Sequence, residues 1–215
     1  MTDTLHLKWT GKPGRGPAVA LAHGAGAPMD SRFMAAFADG IQRHRIPVVR
    51  FEFSYMRQRR TEGIRKPPDS VSKLIATWRE VIAKIANKGV PRERLVIGGK
   101  SMGGRLASMV ADEEGVLGLV CLGYPFHPLG KPEKTRVEHL IEIKTPTLFV
   151  QGTRDSLGSK DEIKEYRLPR KIRMHWIEDG DHSLKPRKSS GLTEAQAWDD
   201  GIGAVADFVR LMAKD

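Results

Sequence analysis

Three side chains in this sequence could together cleave an acyl bond. Ser101 stands in Gly99-Lys100-Ser101-Met102-Gly103, between the apolar run Leu95, Val96, Ile97 and a small-residue segment starting near Met102. A strand that turns directly into a helix needs glycine on both sides of the turn, so that strand and helix can approach closely. The turn then lifts the serine hydroxyl away from the sheet, and the helix N-terminus directs N–H groups toward developing negative charge. A serine hydroxyl is a poor nucleophile until a neighbouring base removes its proton. His182, in Asp179-Gly180-Asp181-His182, is the candidate base, and Asp155, in Gln151-Gly152-Thr153-Arg154-Asp155, is the candidate acid that would hold its second ring nitrogen. Asp161, Asp179 and Asp181 compete as the acid. Asp155 is preferred because Asp181 adjoins His182, and adjacent residues usually diverge. An oxyanion needs two converging N–H donors, for which Met102 and Ala25, from the loop His23-Gly24-Ala25-Gly26, are the candidates.

Other chemistries fit less well. Gly-Lys-Ser is the tail of a phosphate loop, but Arg94 stands where its first glycine belongs. The histidines are scattered, paired cysteines are absent and so is H-E-x-x-H, so no metal is expected. Met29 replaces the third glycine of a dinucleotide fingerprint, and no cofactor is expected. His23 and His175 read as structural, and Cys121 as core packing.

Hydrophobic patterning supplies the elements that must position these residues. Strands are expected at 5–10 (an edge strand), 18–22, 47–53, 95–98, 117–124, 145–151 and 172–177. Helices are expected from Asp30 or Ser31 to 45, from Asp69 or Ser70 to about Lys88, after Ser101, and from Thr193 to the C-terminal region, with short ones near 137–141 and 159–166. Residues 55–60 read as a basic loop. Strands alternating with helices imply an α/β fold, a doubly wound and mostly parallel sheet of about seven strands. Ser101, Asp155 and His182 then all fall at carboxyl ends of strands, where such sheets bind ligands.

The 215 residues suit one domain, 1–215, with 40% hydrophobic and 29% charged residues. The single cysteine and the lack of an apolar leader or spanning run give a cytoplasmic expectation, with no membrane partner. Lys and Arg exceed Asp and Glu by 36 to 26, a formal net charge of +10 that favours anionic partners. The clusters Arg57, Arg59, Arg60, Arg65, Lys66 and Lys185, Arg187, Lys188 lack interleaved aromatics, so nucleic acid is not the expected main partner. Tyr55, Arg59 and Arg60 are candidate substrate-binding residues, an electropositive rim for an anionic ester, against the plainer reading of a solvated loop.

Together, AHGAGAPMDS, FEFSYM, VIGGKSMGGRLAS, LFVQGTRD and the Gly180-Asp181-His182 turn resemble a small α/β-hydrolase group. It has dienelactone-hydrolase-like relatives in bacteria and testis-expressed relatives in animals. The resemblance covers nearly the whole chain and implies the α/β-hydrolase fold, a Ser101, Asp155, His182 triad, and Ala25 and Met102 as oxyanion donors. Dienelactone hydrolases proper use a cysteine nucleophile where this chain has Ser101, which points away from dienelactone as substrate. The connector between the strands ending near Gly123 and starting near Pro146 is about twenty residues and holds Pro125, Pro128 and Pro132, too little for a helical cap. A serine carboxylesterase with an open site for a small acyl ester, monomeric or homodimeric, is the leading expectation. A hydrolase-fold interaction module with a vestigial triad is the second.

Overall fold

The computed structural model describes residues 5–63 and 66–214. Its centre is a seven-stranded sheet. In chain order the strands are β1 (Leu7–Thr10), β2 (Ala18–Ala22), β3 (Val48–Phe51), β4 (Leu95–Lys100), β5 (Gly118–Leu122), β6 (Thr147–Gly152) and β7 (Ile172–Ile177). They lie in the order β1-β3-β2-β4-β5-β6-β7, with β1 antiparallel and every other pairing parallel. From β2 the chain steps outward to β3, then returns to the other side of β2 as β4. The connections therefore diverge between β2 and β4, the place where open parallel sheets form a ligand crevice.

Strands buried on both faces read as continuous apolar runs, and the pleat sorts them. Ala18, Ala20, Ala22, Ile97, Leu119, Cys121 and Phe149 point to one core, and Val19, Leu21, Val96, Val120, Leu122 and Val150 point to the other. The first core is covered by α3 (Val71–Ala86), whose Leu74, Trp78, Val81, Ile82 and Ile85 repeat at helical spacing, and by α4 (Met102–Ser108). The second is covered by α1 (Arg32–Arg43) and α7 (Glu194–Met212). Ser31 caps α1 by accepting from the Met34 N–H, and Thr193 opens α7 with a reciprocal capping box to Gln196. α1 and α7 meet at Gly40 and Gly201; a Cβ at Gly40 would stand 2.4 Å from the Ile202 Cδ1.

One segment departs from the sequence reading. Residues 55–60, expected as a basic loop, belong to a helix, α2 (Ser54–Glu62). Three arginines in four positions hide its inward side, where Tyr55 and Met56 are buried. The Asp69 carboxylate sits at its N-terminus and accepts from Ser54 Oγ (2.6 Å) and the Tyr55 N–H (3.1 Å), and Gly63 ends it in the left-handed region at φ 70°. Arg65, part of the same basic cluster, lies outside the described residues. Short helices α5 (Ala111–Glu114) and α6 (Lys160–Lys164) complete the chain, and the connector 123–146 carries a single 3-10 turn at Glu138–Leu140. Among the described residues no large lid covers the strand ends. Among the described residues no helix is long and apolar enough to cross a membrane.

Candidate active site

Ser101 sits between β4 and α4 with φ 51° and ψ −117°, a conformation an L-residue adopts only when its surroundings impose it. The surroundings here are backbone. A Cβ on Gly99 would lie 2.1 Å from the Ala22 carbonyl oxygen, and one on Gly103 would lie 2.5 Å from the same atom. β4 and α4 can thus press against β2 only with glycine at both positions. The Ser101 N–H is spent on the Leu122 carbonyl (3.0 Å), which pins the turn to β5.

The three sequence-predicted catalytic side chains converge. His182 Nε2 lies 2.9 Å from Ser101 Oγ, and His182 Nδ1 lies 2.8 Å from Asp155 Oδ2. Asp155 is fully buried; its Oδ2 also accepts from Gln151 Nε2 (2.8 Å) and its Oδ1 from the Leu157 N–H (2.8 Å). Three donors surround the carboxylate, which keeps it an acceptor and leaves His182 Nε2 facing the serine as the proton acceptor. The rival acids are engaged elsewhere. Asp161 pairs with Lys164, and Asp181 accepts from the Ser183 and Lys185 N–H groups in its own turn. Asp179, at φ 55°, binds Arg187 and Arg154 and anchors the loop that carries His182. Hydrogen bonding to Arg187 holds its carboxyl down at about 2.

Met102 and Ala25 line one cleft together with Ser101. The Met102 N–H is the first of α4 and has no side-chain cap, and neither it nor the Ala25 N–H has a partner among the described residues. Tyr55, expected on an exposed rim, is buried under that loop, where its hydroxyl donates to the Ala25 carbonyl (3.2 Å) and approaches that of Gly24 (3.4 Å). His23 fixes the same loop: its Nδ1–H donates to the Gly24 carbonyl (2.7 Å) and its Nε2 accepts from the Phe53 N–H (3.2 Å). Arg59 and Arg60 are not brought to Ser101. Arg60 is bidentate to Asp30 (2.8 and 2.9 Å) and also holds the buried Glu52 (2.6 Å). Both arginines flank a separate depression with Pro28 and Met56. Arg60 is therefore matched by carboxylates that were not visible as neighbours in sequence, and Arg59 donates to the Gly26 carbonyl (3.4 Å).

Sequence reasoning missed two supports. Gln151 cross-braces the site, donating to Asp155 and accepting from the Tyr124 N–H (2.7 Å). Its signal was a lone amide near the end of an apolar strand. Lys100, read only as part of the turn, donates from Nζ to the His182 carbonyl (2.5 Å) and lies 5.6 Å from the Phe33 ring centroid. Burial pushes its ammonium down to about 8, with Asp155 and Asp181 opposing. Between about pH 8 and the ordinary value of 10.5 the unfolded chain holds more protons than the folded one, so stability rises with pH across that window. Wild type is expected to gain on Lys100→Met, by up to about 3 kcal/mol, between about pH 7.5 and about pH 10 in urea denaturation. Parallel pH curves for the two proteins would place the amine at its ordinary value.

A cleft of about 480 Å³ opens beside Ser101 and His182, with Phe33, Met34 and Trp198 as its apolar walls. Among the described residues no three metal-ligating side chains cluster.

Comparison with known proteins agrees with this fold. A solved serine hydrolase homologue from Coxiella burnetii aligns with a TM-score of 0.66 and 15% identity over 98% of this chain and 90% of its own. A lidless serine hydrolase from Xanthomonas campestris aligns at TM-score 0.69 and 16% identity, over 98% and 90%. A dienelactone hydrolase from Anabaena variabilis aligns at TM-score 0.68 and 18% identity, over 96% and 91%. At such identities these likenesses establish the fold. The family model of the alpha/beta hydrolase domain matches residues 15–210, a span that takes in β2 to β7, and the chain belongs to the α/β-hydrolase family.

Proposed function

We propose that this protein is a cofactor-independent serine carboxylesterase. The observation that carries the reading is the single imidazole of His182 hydrogen-bonded to Ser101 Oγ at 2.9 Å and to the buried Asp155 at 2.8 Å. Ser101 Oγ attacks the ester carbonyl carbon while His182 Nε2 takes the hydroxyl proton, and Asp155 stabilises the imidazolium. The carbonyl oxygen, now negative, is received by the Met102 and Ala25 N–H groups. Collapse breaks the ester bond as His182 gives its proton to the departing alkoxide. A water deprotonated by His182 then attacks the acyl-enzyme, and the acid leaves with Ser101 restored.

The uncovered strand ends support small, accessible esters. A solved neighbour described as the esterase domain of a Rhodothermus marinus protein (TM-score 0.66, 13% identity, over 97% of this chain and 98% of its own) supports the ester class in the same way. A fluorophosphonate probe tests the proposal. Wild type is expected to be labelled and to hydrolyse p-nitrophenyl acetate, and Ser101→Ala to lose both while keeping its fold. A folded wild-type protein that neither reacts with the probe nor turns over short esters, thioesters or amides would overturn the reading in favour of an interaction module.

A further inference from the structure

A second cleft, of about 290 Å³, opens on the other side of Ser101. Arg105 and Arg136 both face it. Arg105 lies one turn along α4 from the nucleophile, its N–H bonded to the Ser101 carbonyl (3.0 Å), so its side chain leans back toward Ser101. Arg136 comes from the connector, where its backbone is pinned twice: its N–H donates to the Phe126 carbonyl (2.7 Å), and its carbonyl accepts from the Tyr124 hydroxyl (2.9 Å).

Neither guanidinium has a carboxylate partner among the described residues, and Arg105 Nε is buried with no hydrogen bond at all. This sets the pair apart from Arg60, Arg79, Arg92, Arg154 and Arg187, each of which is matched to an acid. The two are close enough to repel: burial and then the charge of Arg105 lower the Arg136 guanidinium from its ordinary value. Among the described residues the one carboxylate lining the cleft, Asp69, is already bound to Lys73 at 2.8 Å and to Ser54 and the Tyr55 N–H. Two guanidiniums that face one cleft and lack an acid form a site for an added anion.

Position decides which part of a substrate carries that anion. The leaving oxygen must lie within reach of His182, and His182 lines only the first cleft. With the carbonyl oxygen turned to Met102 and Ala25, the remaining substituent of the reacting carbon, the acyl chain, points into the second cleft. Leu106, Pro125 and Leu157 offer apolar wall there for a few methylenes.

We infer that Arg105 and Arg136 bind a carboxylate at the far end of the acyl chain, so that the preferred substrates are half-esters of short dicarboxylic acids. The inference rests on the serine esterase reading for its chemistry and on the unpaired arginines for its specificity, and the two can fail separately. With mono-p-nitrophenyl glutarate and its neutral analogue p-nitrophenyl pentanoate, wild type is expected to favour the anionic ester about tenfold or more in kcat/KM. That ratio is expected to fall about tenfold in Arg105→Gln and in Arg136→Gln, mainly through KM, and to recover partly in Arg136→Lys. A wild-type ratio at or below one, or a ratio unmoved in both variants, would overturn the inference.

A binding measurement needs no turnover. Free glutarate is expected to raise the Tm of Ser101→Ala and not that of the Ser101→Ala, Arg136→Gln double variant. A shift there without any ester cleavage would keep the anion site and sink the esterase reading. Stabilisation by inorganic phosphate with none by glutarate would overturn the carboxylate assignment.

Discussion

Asp155→Asn is expected to lower kcat about 10⁴-fold while KM and the fold change little. The size of the effect follows from the donors around the carboxylate. Oδ2 accepts from His182 and Gln151, and Oδ1 accepts from the Leu157 N–H. An amide has one oxygen. If that oxygen serves Leu157, the NH2 group faces His182 Nδ1, which must then accept and carry its proton on Nε2 instead. A protonated Nε2 cannot take the proton of Ser101. If the amide turns the other way, two N–H groups oppose each other at Leu157, with no acceptor between them. Each arrangement leaves one pair of N–H donors opposed, at Gln151 Nε2 in the first and at Leu157 in the second, and the first, which removes the base without moving it, is the one a loss of about 10⁴-fold would mark. Steady-state kinetics on a short ester checks the prediction, and the Ser101→Ala, Asp155→Asn double variant should be no worse than Ser101→Ala alone. A loss of tenfold or less would mean that His182 keeps its tautomer without Asp155.

The second large effect is on stability. Gly103→Ala is expected to cost more than about 4 kcal/mol, or to prevent accumulation of folded protein. Its Cβ would stand 2.5 Å from the Ala22 carbonyl oxygen and 2.6 Å from that of His23. Both are backbone atoms at the end of β2, so no rotamer change can make room, and α4 would have to lift off the sheet. Lifting α4 also displaces Ser101, so any residual folded protein should label slowly with a fluorophosphonate. Gly203→Ala is the control. A Cβ there meets nothing within 4 Å, and its helical position should make alanine stabilising by about 1 kcal/mol. Chemical denaturation of the pair separates the effect of backbone approach from that of glycine as such; similar changes in both would refute the steric account.

The expected strands and long helices could be read because their apolar periods are undiluted. Val19 and Leu21 alternate with Ala18, Ala20 and Ala22 between two cores, and α3 repeats Leu74, Trp78, Val81, Ile82 and Ile85. The converging trio was legible for a related reason. Each member follows the carboxyl end of an expected strand within a few residues, so placing the strand places the residue. α2 was hidden because its buried face is only Ser54, Tyr55 and Met56, and the rest of its surface is arginine, glutamine, threonine and glutamate. The pairing of Arg60 with Asp30 and Glu52, and the meeting of Arg105 with Arg136, were illegible for a different reason. They join elements through loops whose paths no periodicity encodes. Arg136 arrives by a connector that folds back on its own Phe126 and Tyr124 and is held to α4 by the Ser108–His139 contact (2.8 Å).

Cys121, the sole thiol of the chain, lies fully buried on β5 directly beneath α4, its Sγ against the Gly104 carbonyl. Burial also pushes the thiol up, away from its reactive thiolate form. An alkylating reagent therefore meets it only when the helix that begins after Ser101 parts from the sheet. The alkylation rate of the native protein is thus a clock for that parting. Timed against loss of fluorophosphonate labelling in the same sample, it separates molecules that have opened from molecules that have merely lost the alignment of Ser101 and His182.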